Sequence, residues 1–337
     1  MPVTNRGLLA CLAVLGGAWA GPARAQSGDV YAWLERALQA GDLLTYRAQC
    51  VAENHDPFTQ SAARALKAQF VECCDGPSGR TRTEYMAPPE LVNTMVLEDR
   101  EFIYQVDKKR RIALKQSAAA GSMLPSVEGS RIDLLRRNYS ATIAGTRVIA
   151  GRECAIVEIM PNADRAGNPW RRLFIDKRTA FPLRIENANG AGLLVNTKAV
   201  TSVDYAFRPP EGFFSLPPGT TVKSDPVHRS GALQADASLS AQLGFRPVMP
   251  QYVPAGYVFA GAHIIGADGA KAVHLMYFDG LSTISLFEEP TRSRGRAGWA
   301  PGGPGAHALS WTSGNLSLTL IGDILPQELV QMRNSMG

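Results

Sequence analysis

Hydrophobic and polar residues alternate along most of the chain in short runs, the pattern typical of half-buried β-strands. One series of such runs lies between residues 43 and 107, and a second lies between 139 and 205. The connections are too short for the crossover helices that parallel strands need, so the two series predict one large antiparallel sheet. A third group of strand-like runs lies between residues 258 and 321.

Two segments of the first half follow the helical period instead. Residues 29–40 form an amphipathic helix that Asp29 can cap, and residues 126–137 form a second, shorter helix. The apolar stripe of the first helix consists of Val30, Trp33, Leu34, Ala37 and Leu38. Because one face of a sheet must be buried, we expect these two helices to cover it.

Proline, glycine and polar residues divide the chain in two. Pro209–Pro210, Pro217–Gly219 and a polar stretch to Ser240 interrupt the strand pattern. We therefore predict a first β domain over residues 26–218, a linker over 219–240 and a smaller α+β domain over 241–337. The length of 337 residues agrees with two domains.

The first 25 residues have the features of a secretory signal peptide. Residues 1–6 carry one arginine, residues 7–20 are an apolar run, and Ala23–Ala25 gives the small-x-small pattern of a cleavage site. The apolar run is shorter than a transmembrane helix requires, although a membrane anchor is the alternative. We therefore expect cleavage after Ala25 and export to the periplasm.

The net charge of +5 suggests an acidic partner, but processing weakens that suggestion. The signal peptide contains Arg6 and Arg24 and no acid, so the charge of the mature chain falls to +3. The densest basic run, Lys108–Arg111, lies between two strand-like runs and predicts a hairpin tip rather than a phosphate site. We expect no nucleic-acid partner for an exported protein of this charge.

A second group of basic residues is a candidate patch for an anionic partner. Its members lie close together in the sequence: Arg171, Arg172, Lys177, Arg178 and Arg184. Anionic lipid head groups or an acidic peptide would be its targets.

Four cysteines remain after processing, in a compartment that permits disulfides. Cys50 and Cys73 lie on consecutive strand-like runs, so a cross-strand bridge is a candidate. Cys74 is the other possible partner, but adjacent strand residues point to opposite faces, so Cys73 and Cys74 cannot face Cys50 equally. Buried free thiols, with Cys154 among them, are the alternative.

Motifs of catalytic or metal sites are missing from the sequence. The five histidines form no H-x-x-x-H or H-E-x-x-H pair, and Cys73–Cys74 lacks the second pair of ligands that zinc needs. Neither a G-x-S-x-G elbow nor a Walker A motif occurs. We expect a binding protein without cofactor or metal, with an exported hydrolase as the minor alternative.

Four longer segments carry a family pattern. Residues 138–161 (NYSATIAGTRVIAGRECAIVEIMP) and 170–186 (WRRLFIDKRTAFPLRIE) belong to the first domain. Residues 244–261 (GFRPVMPQYVPAGYVFAG) contain a P-x-G element, and residues 272–289 (AVHLMYFDGLSTISLFEE) contain a D-G-L element with Phe278 where serine is usual. Together they resemble the RseB/MucB family of periplasmic sigma-E regulators, whose larger domain is similar to the lipoprotein carriers LolA and LolB.

The resemblance implies a fold and a function. It implies a LolA-like half-open β-barrel roofed by helices, with a concave apolar face, followed by an RseB-type domain. It also implies a negative regulator of sigma-E type envelope-stress signalling that binds the periplasmic part of an anti-sigma factor such as RseA or MucA. Lipopolysaccharide, acyl chains or unfolded outer-membrane protein would be sensed in the cavity. A periplasmic lipoprotein or lipid carrier is the alternative, and homodimer formation is left open.

The candidate cavity residues are large and apolar, and ordinary core packing is the alternative for each of them. They are Trp33, Leu34 and Leu38 from the first helix, and Phe70, Tyr85 and Phe102 from the sheet.

Overall fold

The computed structural model describes residues 29–55, 66–118, 131–224, 228–229, 233, 235, 237–267, 269–293 and 306–336. The predicted signal peptide, residues 1–25, lies outside the described residues.

A sheet of twelve strands forms the first domain. In chain order the strands are β1 (Thr45–Asn54), β2 (Leu66–Asp75), β3 (Arg80–Ala87), β4 (Thr94–Glu98), β5 (Phe102–Asp107), β6 (Ile112–Ser117), β7 (Tyr139–Ile149), β8 (Arg152–Pro161), β9 (Trp170–Asp176), β10 (Pro182–Ala188), β11 (Leu194–Asp204) and β12 (Thr221–Ser224). Their spatial order is β12-β6-β5-β4-β3-β2-β1-β11-β10-β9-β8-β7. Every neighbouring pair is antiparallel except β12 beside β6, so the prediction of one large antiparallel sheet is confirmed.

One face of this sheet is apolar because the register aligns the apolar positions of successive strands. Cys50 pairs with Phe70 on one side and with Val200 on the other, and Phe70 pairs with Tyr85. Residues that pair across strands share a face, and all four of these side chains are buried. The strand order leaves β7 and β12 as the ends of an open sheet.

Two helices cover part of the apolar face, as predicted. Helix α1 (Val30–Leu43) begins at Asp29, whose carboxylate accepts a hydrogen bond from Tyr31 N at 2.9 Å. Helix α2 spans Arg131–Asn138. Apolar residues of both helices pack with the sheet in one cluster that contains Leu34, Ala37, Ile132, Leu135, Val157 and Leu173.

The second domain contains a six-stranded antiparallel sheet. Its strands are β13 (His228–Arg229), β14 (Val258–Ala267), β15 (Ala270–Phe278), β16 (Thr283–Pro290), β17 (His307–Ser313) and β18 (Leu316–Gly322), in the order β13-β14-β15-β16-β18-β17. Helices α3 (Ala237–Leu243) and α4 (Pro326–Asn334) pack their apolar residues against this sheet. The cluster contains Leu239, Leu243, Leu275, Leu286, Leu318, Leu329 and Met332.

Parts of the segment predicted as a linker, residues 219–240, belong to the two domains. Residues 221–224 form β12, which pairs with β6 and so belongs to the first sheet. Residues 237–243 form α3, whose Leu239 and Leu243 lie in the core of the second domain. The sequence did not reveal β12, because all four of its residues are exposed and they carry no alternating pattern.

Candidate functional site

A partly buried ion pair lies on the apolar face, where the sequence suggested only apolar side chains; 26% of the Lys198 side chain and 14% of the Glu72 side chain are exposed. Lys198 Nζ donates to Glu72 Oε2 at 2.8 Å, and Tyr46 OH donates to Glu72 Oε1 at 2.8 Å. Lys198 Nζ also lies 5.7 Å from the centroid of the Phe70 ring. The signal was present in the sequence, because Glu72 stands between Phe70 and Cys74 at a position that faces the apolar side.

The pair is arranged so that both partners stay charged. Burial alone would raise the pKa of Glu72, but the charge of Lys198 and the hydrogen bonds from Lys198 and Tyr46 hold it below its usual value. Burial alone would lower the pKa of Lys198, but the charge of Glu72 raises it above its usual value. The apolar face therefore contains a fixed dipole that a bound molecule would meet.

The six predicted cavity residues do not come together. Trp33, Leu34 and Leu38 belong to the cluster between the helices and the sheet. Phe70 and Tyr85 belong to a separate cluster, where their ring centroids lie 5.7 Å apart. Phe102 lies beneath the ammonium group of Lys115, which is 3.4 Å from its ring centroid. The prediction of one shared cavity is therefore corrected to three separate packing sites.

Two surface cavities occur elsewhere on the first domain. One of about 390 Å³ is lined by Leu43, Leu44, Thr45, Asp75, Tyr205, Arg208 and Pro209. The other, of about 270 Å³, is lined by Arg80, Leu97, Glu98, Asp99, Tyr104, Phe214, Ser215 and Leu216. Both are shallow clefts near the ends of strands, and the six predicted residues line neither of them.

The predicted anionic-partner patch is mostly neutralised by acids on neighbouring strands. Its ion pairs join Arg172 to Glu158 and Glu186, Arg184 to Glu186, and Lys177 to Glu153. Arg171 donates to the side-chain oxygen of Asn187, and Arg178 is exposed at the β9–β10 turn. The prediction is corrected: strand pairing brings Glu158 and Glu186 beside Arg172, and Glu186 also neutralises Arg184 on its own strand.

The predicted disulfide between Cys50 and Cys73 is wrong, because all four described cysteines are free thiols. Cys50 pairs with Phe70 in the β1–β2 register, whereas Cys73 pairs with Arg47, three residues further along β1. That offset corresponds to about 10 Å along the strand, and it also places the two side chains on opposite faces. Burial raises the pKa of both thiols, Cys50 to about 12 and Cys73 to about 11.

The two domains meet at a buried polar contact that we call the interdomain joint, centred on Asp279 in the loop after β15. The Asp279 carboxylate accepts hydrogen bonds from the backbone N–H groups of Leu281 and Ser282 in its own loop, at 2.9 and 2.8 Å. It also accepts from two residues of the first domain, the hydroxyl of Tyr139 and, at 3.2 Å, the side-chain amide of Asn168. Asp279 is fully buried.

Asn138, at the end of α2, makes the second set of contacts in the joint. Its side-chain amide donates to the backbone oxygen of Gly256 at 2.9 Å and of Asp279 at 2.8 Å. Its side-chain oxygen accepts from Arg165 Nε at 3.0 Å. Each polar atom of this buried amide therefore has a partner, and two of the three bonds cross between the domains.

Two glycines allow the close approach of the domains. A Cβ on Gly280 would lie 2.6 Å from the backbone nitrogen of Leu135 in α2. A Cβ on Gly256 would lie 2.8 Å from Arg165 and 2.9 Å from Asn138. Both glycines also have a positive φ, +103° and +91°, that favours glycine. The P-x-G and D-G-L elements of the sequence are therefore contact residues of the interdomain joint.

The electrostatics of the joint follow from burial. Burial raises the pKa of the Asp279 carboxyl, against the hydrogen bonds that lower it. Burial likewise raises the pKa of the Tyr139 hydroxyl, and the neighbouring Asp279 raises it further. Both shifts favour a protonated Tyr139 hydroxyl as the donor to Asp279.

Other kinds of site find no support in the described ranges. No group of three or more His, Cys, Asp or Glu side chains within them is placed to hold a metal ion. No helix of the described part of the chain has the length and apolarity to cross a membrane.

Comparison with known proteins gives a consistent result. A sequence model of the MucB/RseB N-terminal domain matches residues 29–212. A crystal structure of MucB in complex with MucA(peri) has a TM-score of 0.60 and 14% identity, covering 91% of this chain and 98% of that chain. A structure of MucB alone has a TM-score of 0.58 and 16% identity, and the match covers 92% of this chain and 98% of that chain. The Pseudomonas aeruginosa MucA/MucB complex has a TM-score of 0.59 and 14% identity, and the match covers 90% of this chain and 96% of that chain. No curated protein matches significantly.

Proposed function

The chain belongs to the MucB/RseB family, and from this premise we propose that it is a periplasmic regulator that binds the periplasmic part of an anti-sigma factor. The observation that carries the proposal is the fold match to MucB in complex with MucA(peri), which extends over both domains. Family membership likewise favours a binding protein over an enzyme.

The interdomain joint supports this function in physical terms. Hydrogen bonds from Tyr139, Asn168 and Asn138 to the loops of the second domain fix how the two domains are oriented. A partner that contacts both domains therefore meets a surface that is already arranged, and binding does not have to order the domains first.

Ligand sensing is the finer part of the proposal. The apolar face of the first sheet is the candidate sensor for lipopolysaccharide, acyl chains or unfolded outer-membrane protein. Phe70 and Tyr85 are closed by packing, so entry of a ligand would have to displace what covers them. Such a displacement would change the sheet surface against which α1 and α2 pack. Because Asn138 at the end of α2 binds the Asp279 loop, the change would reach the interdomain joint.

Calorimetric titration of the mature chain with the periplasmic segment of the cognate anti-sigma factor tests the proposal. We expect one-to-one binding with a Kd of about 1 µM or lower. The segment in scrambled order is the control for nonspecific association. Absence of binding at about ten times that concentration would refute the proposed function.

The lipid-carrier alternative gives a different result. A carrier would bind a fluorescent fatty-acyl probe with micromolar affinity and would ignore the anti-sigma segment. For a regulator we expect binding of the segment, with the probe acting only as a competitor.

A further inference from the structure

The turn between β5 and β6 carries the densest positive charge of the first domain. It contains Lys108–Arg111, and the structure confirms the predicted hairpin tip. Lys109, Arg110 and Arg111 are exposed. This turn lies at the end of the sheet opposite the β9–β10 turn, which contains Lys177 and Arg178.

Two of the four charges of this turn have an acidic partner, and one of those two contacts is long and exposed. Lys108 pairs with Glu84 at 2.9 Å. Arg110 lies 3.7 Å from Asp107, in a contact where its side chain is 78% exposed. Within the described residues no side-chain partner is found for Lys109 or Arg111. The turn therefore differs from the Arg171–Arg184 group, whose charges are mostly paired.

Exposed apolar side chains stand beside these charges. Met86 is 61% exposed, Val92 41% and Val222 45%. The backbone connects them to the turn, because Lys108 N donates to Asn93 O and Thr221 N donates to Arg111 O, both at 2.8 Å. The end of β3, the loop before β4, the basic turn and the start of β12 thus form one amphipathic rim.

The backbone of the turn adds a second observation. Arg111 has a φ of +54°, in the left-handed region that favours glycine or asparagine. A glycine at this position would remove the conformational strain of the backbone, but it would also remove a positive charge. The residue here is nevertheless arginine, and it has no side-chain partner within the described part of the chain.

We propose that this rim docks on the surface of a bilayer that contains anionic phospholipid. Lipid interfaces accept separate projecting apolar side chains, and basic residues beside them are attracted by anionic head groups. An acidic peptide would be expected to bind a groove with aligned pockets. Here the basic side chains project from a turn, Val92 projects from a loop, and Met86 and Val222 lie at the end of β3 and on the four-residue strand β12. The proposal does not rest on binding of an anti-sigma factor.

Cosedimentation of the mature chain with vesicles tests the docking. We expect binding to phosphatidylcholine vesicles with about 30% phosphatidylglycerol, little binding to phosphatidylcholine alone, and loss of binding as salt rises from about 0.05 to 0.5 M. The double variant K109A/R111A should bind about tenfold more weakly. The double variant M86S/V92S should also bind more weakly, at unchanged charge.

The matched control is K177A/R178A, which removes the same charge from the opposite end of the sheet and should retain vesicle binding. Arg111→Gly separates docking from folding, because it should weaken vesicle binding while the midpoint of denaturation stays equal or rises. Equal binding to both vesicle types would overturn the proposal. So would full vesicle binding by K109A/R111A, whether or not that variant loses the anti-sigma segment; loss of the segment would then mark the rim as a protein-binding surface.

Discussion

Asp279→Ala will destabilise the protein by about 3 kcal/mol or more, because it leaves several buried donors without an acceptor. The affected donors are the Tyr139 hydroxyl, the Asn168 amide and the backbone N–H groups of Leu281 and Ser282. Two of them belong to the first domain, so we also expect the two domains to unfold in separate transitions. Urea denaturation followed by tryptophan fluorescence, together with scanning calorimetry, measures both effects.

Asp164→Ala is the matched control for this prediction. Asp164 lies close to the joint in the first domain, where it pairs with Arg165, but its side chain is 70% exposed. We expect the control to change the free energy of unfolding by less than about 1 kcal/mol. If Asp279→Ala lowers the free energy of unfolding no more than Asp164→Ala does, and the variant still unfolds in one transition, Asp279 does not hold the domains together.

Lys198→Met will have the second large effect, a loss of about 2–3 kcal/mol near neutral pH, since water reaches part of the pair. The substitution removes the partner of Glu72 and leaves a carboxylate among apolar side chains. The double variant Glu72→Gln with Lys198→Met should recover much of the loss, since it leaves no buried charge. Urea denaturation of both variants and of the wild type measures the difference.

The sign of the pH dependence distinguishes this explanation from simple loss of packing. In the wild type the pKa of Glu72 is lowered, so the pair stabilises the fold above the usual glutamate pKa and loses that effect as the pH falls. In Lys198→Met the burial of Glu72 raises its pKa instead, so the variant should gain stability relative to wild type as the pH falls. If the difference in free energy of unfolding between wild type and Lys198→Met does not depend on pH, the explanation by an unpaired Glu72 charge is contradicted.

Lys67→Met is the control for Lys198→Met. Lys67 on β2, the strand that carries Glu72, forms an ion pair with Glu53 on β1, but its side chain is 52% exposed. An exposed pair of this kind contributes little, so we expect a change within about 1 kcal/mol.

The sequence predicted well those features that depend on neighbours in the chain. Alternation located the strands of the first sheet, and the stripe that contains Leu34 identified the helix that covers it. These features depend on periods of two and 3.6 residues, which a single segment displays on its own.

Features that depend on partners far away in the chain could not be predicted from the sequence. Asp279 appeared to be an ordinary turn residue, because its partner Tyr139 is 140 positions away. The charge of Arg172 appeared free, because Glu158 and Glu186 come beside it only through the strand register. The Cys50–Cys73 bridge failed for the same reason, since the pairing of β1 with β2 was not known.

The interdomain joint explains why the P-x-G and D-G-L elements occur in this sequence. Gly280 and Gly256 permit contacts that a Cβ would block, and Asp279 supplies the acceptor on which the first domain converges. We infer that these elements preserve the orientation of two domains that together present one binding surface. In that case a weakened joint should lower the affinity for a partner even when each domain remains folded.

The most direct test is calorimetric titration of the anti-sigma segment into the wild type and into the double variant Tyr139→Phe with Asn168→Ala. The variant removes both first-domain donors to Asp279 and leaves the hydrogen bonds within the second domain in place. We predict tight binding by the wild type and by Asp164→Ala, and an affinity about tenfold lower for the variant. Equal affinity for all three proteins, or no binding by the wild type, would contradict the account.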